Sequence, residues 1–202
     1  MSVTTVVMAT RNAHKLHEVR TLLEGTGVEV VGMPPELADP PEDHDTFEAN
    51  ALQKARHVWE ALKAPAVLVV ADDSGIEVAA LGGAPGVFSK RFTPEGTDEA
   101  NNQELLRRLE GCADRRARYR CVLALVAAEG HSWLAAGTCE GHIGSAPRGA
   151  SGFGYDPLFW PDSYPGRTMA EVSLAEKNAV SHRGRAFARL PALVAEALPK
   201  RE

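Results

Sequence analysis

The sequence predicts an α/β or α+β protein built on a mixed sheet, and three observations predict it. Val3 to Ala9 is a short β-branched run that breaks into the polar Thr10-Arg11-Asn12, after which Leu16, Val19, Leu22 and Leu23 recur at helical spacing. Ala66 to Ala71 is a fully apolar strand between segments of helical and loop character. Tyr119 to Ala128 and Trp133 to Ile143 are long strand-like runs placed to pair as a hairpin around Glu129-Gly130. Strands and helices alternate at first and the later half is strand-rich, which favours a mixed sheet over an all-parallel one.

The remaining elements follow in order. Gly25 and Gly27 close the first helix, and Val28 to Met33 forms a second strand. The proline- and acid-rich stretch Pro34 to Asp43 is a loop, too short for a domain linker. Asp45-Thr46-Phe47-Glu48 has the form of a capping box; Phe47, Ala51, Leu52, Ala55, Trp59 and Leu62 supply an apolar stripe behind it, and Pro65 ends the helix. The apolar strand from Ala66 runs out at Asp72-Asp73-Ser74-Gly75, where Gly75 would let the chain turn, and Ile76 to Leu81 resumes strand character. Gly82 to Gly86 is a loop, Thr97 to Leu109 a helix, Gly144 to Gly154 irregular and Leu158 to Trp160 a short strand. Ser173-Leu174-Ala175-Glu176 is a second capping box, and a last helix runs from Ser181 to Leu198 with a kink at Pro191. No repeat or low-complexity tract divides residues 1–202, so the chain reads as a single domain.

Composition narrows the function classes. A hydrophobic fraction of 44% and a charged fraction of 24% are those of a globular protein. The formal net charge of -5 offers no bulk attraction to nucleic acid or an anionic membrane, so an anionic ligand needs local basic groups, amides or a metal. No basic run is interleaved with aromatics, which argues against a nucleic-acid partner. Cys112, Cys121 and Cys139 fit neither a zinc knuckle nor a redox pair, and read as reduced thiols. Met1 to Met8 lacks the form of a signal peptide and no apolar run reaches the length of a membrane span, so the expected location is cytoplasmic, with no membrane partner.

Five segments carry residue types suited to chemistry. Thr10-Arg11-Asn12-Ala13-His14-Lys15 lies between the first strand and helix, where unpaired amides and a partial positive charge suit a phosphate; the plainer reading makes Asn12 a cap and Lys15 a solvated charge. Asp72 and Asp73, after a buried strand, are costly unless a cation or hydrogen bonds compensate them, and Mg²⁺ favours one or two carboxylates plus substrate phosphates. Glu48 is either a capping carboxylate or a second acid near the metal, and Lys54 either faces a phosphate or is one more surface lysine. In Ser151-Gly152-Phe153-Gly154-Tyr155-Asp156-Pro157, flanking glycines let the backbone approach a planar ligand, Phe153 offers a stacking face and Asp156 an acceptor for a ring N–H. Lys177 and Ser181-His182-Arg183-Gly184 gather cations and an imidazole at the junction of two helices.

Taken in order, these segments resemble the ITP/XTP pyrophosphatase family, the Ham1-like or inosine triphosphatase family. The shared elements are Thr10, Asn12 and Lys15; Phe47 to Ala51 with Lys54-Ala55-Arg56; Ala71 to Gly75; Leu81 to Ser89; Gly152 to Pro157; Glu176-Lys177; and Ser181 to Gly184. The resemblance implies Mg²⁺-dependent hydrolysis of non-canonical purine nucleoside triphosphates (ITP, dITP, XTP) to the monophosphate and pyrophosphate. It implies a homodimer whose subunits have two lobes around a nucleotide cleft, built on a long twisted mixed β-sheet with flanking helices. It also implies roles. Thr10, Asn12 and Lys15, with Ala13 and His14 between them, bind phosphate. Glu48 and Asp73 hold the metal, and Asp73 also takes the proton of the attacking water. Asp72 supports them and Ser74 touches substrate. Phe153, Gly154, Tyr155, Asp156, Lys177, His182 and Arg183 form the nucleoside end. Arg11 stands where the family often has glycine: it is strained if the loop needs positive φ there, and otherwise adds a charge for the triphosphate. Donors such as His182 and Arg183 would accept a 6-oxo purine and reject adenine, which presents an amino group at that place. A pyrimidine-directed pyrophosphatase of the Maf type and a nucleotide-binding module without turnover are the alternatives. The first should lack the Phe153 and His182 segments, and the second has no need of paired Asp72 and Asp73.

Overall fold

The computed structural model describes residues 3–64 and 66–198. β1 (Thr4–Met8), α1 (Ala13–Leu23) and β2 (Val28–Gly32) form a parallel crossover unit, with Thr4 opposite Val28 and Met8 opposite Gly32. α2 (Phe47–Leu62) leads to β3 (Val69–Val78), which lies parallel to β1 through Val7–Val69 and Met8–Val70. α3 (Asp98–Arg108) precedes β4 (Arg116–Val126) and β5 (Ser132–Ile143); β6 (Phe159–Pro161) runs antiparallel to β5, with His142 opposite Trp160. α4 (Leu174–Val180), α5 (His182–Phe187) and α6 (Leu190–Ala197) complete the chain. The sheet order is β2-β1-β3-β4-β5-β6, and its parallel and antiparallel pairs make it mixed, as predicted.

The chain divides into two compact units. One holds the described residues up to Asp73, Cys121–Gly137 and those from Arg183 on; the other holds Ser74–Arg120 and Thr138–His182. The first has a core of β-branched and leucine side chains from β1, β2 and β4 with Phe187, Leu190 and Val194 from the last two helices. The second packs Ile76 and Val78 with Leu105, Leu109, Tyr119, Leu158, Phe159 and Met169. A fully buried Leu or Phe contributes roughly 2–3 kcal/mol relative to its exposed state.

The structure departs from the sequence reading at four places. Asp72-Asp73-Ser74-Gly75 is the middle of one continuous strand, β3, not a turn at its end. Gly75 serves close approach: a Cβ there would lie 2.2 Å from the Gly86 carbonyl oxygen and 2.5 Å from Ser89 Oγ. The cap of α2 is Thr46, whose hydroxyl accepts from Ala49 N–H at 3.2 Å, so the third helical position is Ala49, and Glu48 stands one residue too early to close a box. Its buried face consists of Phe47, Asn50, Ala51, Lys54, Ala55 and Val58, with two polar residues where the stripe had placed Leu52, Trp59 and Leu62. The helix stops at Leu62, with Lys63 in the left-handed region; Pro65 lies outside the described residues, as do Met1 and Ser2. Finally, α5 and α6 are separate helices. The break falls before Pro191, which sits in the first turn of α6, where the missing N–H and fixed φ are tolerated.

Candidate functional site

In the first unit, charge is concentrated around the first half of β3. Asn12 caps α1, its Oδ1 accepting from His14 N–H at 3.0 Å and Lys15 N–H at 3.1 Å; Thr10 Oγ1 accepts from Asn12 N–H at 3.2 Å. The cap orients the first turn so that Lys15 Nζ reaches both oxygens of Asp72, at 3.3 and 3.2 Å. Arg183, at the start of α5, donates to Glu18 at 2.7 Å and to Asp72 Oδ2 at 3.4 Å. Asp72 is therefore flanked by two cations. Burial by itself would raise its pKa, but Lys15, Arg183 and Lys54 outweigh burial and hold the carboxyl well below the usual carboxylate range.

Asp73 has a different environment. Its Oδ2 accepts from Asn50 Nδ2 at 3.1 Å and its Oδ1 from Lys54 Nζ at 3.1 Å. Lys54 also reaches Glu42 at 2.7 Å. One ammonium thus serves two carboxylates. Burial raises the Asp73 pKa, Lys54 opposes it and Glu42 adds to it, and the net direction is up. Burial works against the Lys54 charge, but Asp73, Asp72 and Glu42 prevail and keep it an ammonium. Asn50 and Lys54 are four residues apart, so one helical face delivers both to the strand. Asn50 also receives His44 N–H and donates to His44 C=O, tying the end of the Pro34–Asp43 loop to the same face.

Asp73 and Glu42 meet at one ammonium, Lys54, and such a pair of carboxylates is of the kind that a hard divalent cation binds. Among the described residues no three His, Cys, Asp or Glu side chains form a preformed cage. Mg²⁺ held by one or two carboxylates, substrate phosphates and water needs no such cage, so the donor set fits it. The second carboxylate linked to Asp73 is Glu42, through Lys54; Glu48 is half-buried in the first turn of α2.

Arg11 is not strained. Among the described residues the non-glycine positions with positive φ are Lys63 and Glu129. Its guanidinium pairs with Asp39 and donates to the carbonyls of Pro35 and Leu37, so its charge fastens the Pro34–Asp43 loop.

In the second unit, the glycine-rich segment is organised around Asp156. That carboxylate is 3% exposed and accepts from Lys177 Nζ at 2.8 Å, from Phe153 N–H at 3.0 Å and from the Tyr119 hydroxyl at 3.3 Å. It acts as the hub of the loop, and Gly152 (φ +79) is required because a Cβ there would lie 2.1 Å from Asp156 Oδ2. The Lys177 ammonium stands 4.7 Å from the Phe153 ring centroid, and Tyr119 stacks on His182 with centroids 4.7 Å apart at 9°. Tyr155 donates to the Ser89 carbonyl at 2.8 Å, leaving half-buried Phe153 as the aromatic face of the segment. Burial, with Asp156 beside it, pushes the Tyr119 phenol far up, so it remains a donor.

The structure therefore groups Lys15, Asp72, Asp73 and Arg183 in one unit and Phe153, Asp156, Lys177 and His182 in the other. Arg183, expected at the nucleoside end, has its guanidinium on Glu18 and Asp72. Sequence reasoning missed Glu18, Glu42, Asn50 and Tyr119. A signal existed for Asn50: with Lys54 it interrupts the buried face of α2 at helical spacing. None existed for Glu42, in a loop rich in acids.

A family model described as the Ham1 family matches residues 6–193. The chain is 49% identical over 202 residues to a dITP/XTP pyrophosphatase of Symbiobacterium thermophilum, covering 97% of this chain and 100% of that protein. It is 47% identical over 201 residues to a protein of the same name from Nitratidesulfovibrio vulgaris, covering 94% and 95%. Among solved structures, the Staphylococcus aureus Ham1 protein superposes with a TM-score of 0.83 at 34% identity, covering 96% of this chain and 99% of that one. A HAM1 protein from Coxiella burnetii gives 0.83 at 38% identity, covering 98% and 100%.

Proposed function

The chain belongs to the Ham1 family, and from that premise we propose that it hydrolyses ITP, dITP and XTP between the α- and β-phosphates, releasing the nucleoside monophosphate and pyrophosphate. The names of its relatives, dITP/XTP pyrophosphatases, support the substrate class. The observation that carries the reaction is the pairing of Asp72 and Asp73 in mid-strand, where one carboxylate is neutralised by two cations and its neighbour shares a single ammonium.

The two aspartates divide the work. Asp72 stays ionised and serves as a fixed anchor for Lys15 and Arg183. Asp73, held by Asn50 and by the ammonium of Lys54, takes the proton of a water attacking the α-phosphorus in line. Asp73, Glu42 and Glu48 are the residues that would hold Mg²⁺, which when bound supplies charge neutralisation and a more acidic water. Lys15 and the first turn of α1, with Thr10 and Asn12, bear on the departing pyrophosphate. Lys54 holds Asp73 and Glu42 in register. In the second unit, Phe153 provides the stacking face for the purine; Asp156 and Lys177 hold that face, and His182, stacked on Tyr119, is the donor toward a 6-oxo group.

The decisive measurement is pyrophosphate release from ITP, XTP, GTP, ATP and dTTP with and without Mg²⁺. Turnover that is metal-dependent and strongest on ITP and XTP is expected; comparable kcat/KM on ATP and ITP refutes the specificity. Asp73→Asn should lower kcat by about two orders of magnitude or more, and a loss of only a few-fold removes Asp73 from the role of base. A homodimer in the cytoplasm belongs to the same proposal, and a monomeric mass by light scattering would exclude the dimer.

A further inference from the structure

Phe153 is carried by a segment with little stiffness of its own. Gly152 and Gly154 flank it, both at positive φ (+79° and +63°), and glycine has the widest backbone freedom of any residue. Its orientation must therefore be set by what grips the backbone.

One side of the grip is the Asp156 carboxylate on Phe153 N–H. The other comes from α3. Asp98, in its first turn, accepts from Gly154 N–H through Oδ2 at 2.6 Å, a short charge-assisted bond. Asn102, one turn further along the same face, donates from Nδ2 to the Gly154 carbonyl at 2.9 Å. Gly154 is thus held by both its backbone donor and its backbone acceptor. Among the described residues Asn102 Oδ1 is buried with no partner, so the bond to Gly154 is what orients this amide. The other oxygen of Asp98 meets Lys90 at 3.2 Å between side chains 77% and 42% exposed, a solvated contact that does not compete for Gly154.

We infer that Asp98 and Asn102 are positioning residues for base binding: by clamping Gly154 they hold the Phe153 ring in the orientation that stacks on the base. The inference rests on the reading of Phe153 as the face that meets the base. A preorganised ring binds without having to be ordered first, so the clamp acts on affinity for nucleotides and not on the phosphate chemistry.

The test uses the full chain with ITP as substrate and inorganic tripolyphosphate, which has no base, as a competitive inhibitor. Asn102→Ala and Asp98→Ala should each raise KM for ITP about tenfold, the value of one good hydrogen bond, with kcat within about two-fold. Inhibition by tripolyphosphate should stay at the wild-type level. Asp98→Asn, which retains an acceptor for Gly154, should restore most of the affinity. In a Phe153→Ala background, Asn102→Ala should add nothing further. If Phe153→Ala itself leaves KM for ITP unaltered, the base reading fails and the inference falls with it. If Phe153→Ala raises KM while Asn102→Ala and Asp98→Ala do not, the base reading stands and the clamp is refuted. Weakened tripolyphosphate inhibition together with lost kcat in the α3 variants would show a general structural role and also overturn the clamp.

Discussion

Replacing Lys177 by methionine tests the organisation of the second unit directly. Lys177 Nζ is 2.8 Å from Asp156 Oδ2, and the two side chains are 7% and 4% exposed. Methionine keeps most of the stem's volume and deletes the charge, leaving a buried carboxylate. Breaking one partner of a buried ion pair costs about 3–5 kcal/mol. Here the Phe153 N–H and the Tyr119 hydroxyl still solvate Asp156, which places the expected loss at the lower end, about 3 kcal/mol. For a chain of this length that is a fall in Tm of about 6–12 °C. Thermal melting with urea denaturation at neutral pH measures it. Adding Asp156→Asn removes the orphaned charge; its one amide oxygen still accepts from the Phe153 N–H, and the Tyr119 hydroxyl can turn to accept from the amide NH2, so the double variant should regain at least half of the loss. A Lys177→Met protein within about 1 kcal/mol of wild type would mean that the pair is worth no more than a surface ion pair. A double variant no more stable than the single one would mean that the cost comes from packing and not from charge.

Other perturbations follow the same logic. Gly75→Ala should destabilise by about 1–3 kcal/mol, because a Cβ collides with the Gly86 carbonyl and Ser89 Oγ and the backbone must move; unchanged urea denaturation would contradict the close approach. Arg11→Ala should leave global stability within about 0.5 kcal/mol, since Arg11 is exposed, yet speed amide exchange across residues 34–43; unaltered exchange there would show that Arg11 does not hold the loop. Glu176 is held at about 2, below its ordinary 4.5, by hydrogen bonds from Arg167 and from the Ser173 backbone. A depressed acid stabilises the fold above its ordinary pKa and loses that contribution as pH falls through the folded value. The stability gap between wild type and Glu176→Gln should therefore be constant above 4.5 and close toward about 2; a gap that persists at the acid end refutes the assignment.

Much of the site was legible because its pieces sit where local structure changes. Asn12 reads as a cap from its place before an apolar helical pattern, and it is one. Ser173 and Glu176 form the capping box their spacing announces. Asp72 and Asp73 misled in one respect. Two adjacent acids look like a turn, but Lys15 and Arg183 on one and Asn50 and Lys54 on the other let both remain inside a strand. In sequence Lys54 is open between a phosphate contact and one more surface lysine; it is buried, and its ammonium meets Asp73 and Glu42.

What sequence alone determined is whatever depends on near neighbours: the strand–helix–strand opening, the α/β class, the caps at Asn12 and Ser173, and an ordered set of motifs specific enough to name a family. What only the tertiary structure decided is which charges meet. Glu42 reaches Lys54 across 12 positions, Lys15 reaches Asp72 across 57, and Arg183 reaches Glu18 across 165. No local propensity encodes such pairings, because they follow from strand order and from which helix face turns inward. The same holds for Arg11, whose charge is taken by the loop at Asp39, and for Gly154, whose N–H is taken by the Asp98 carboxylate across 56 positions.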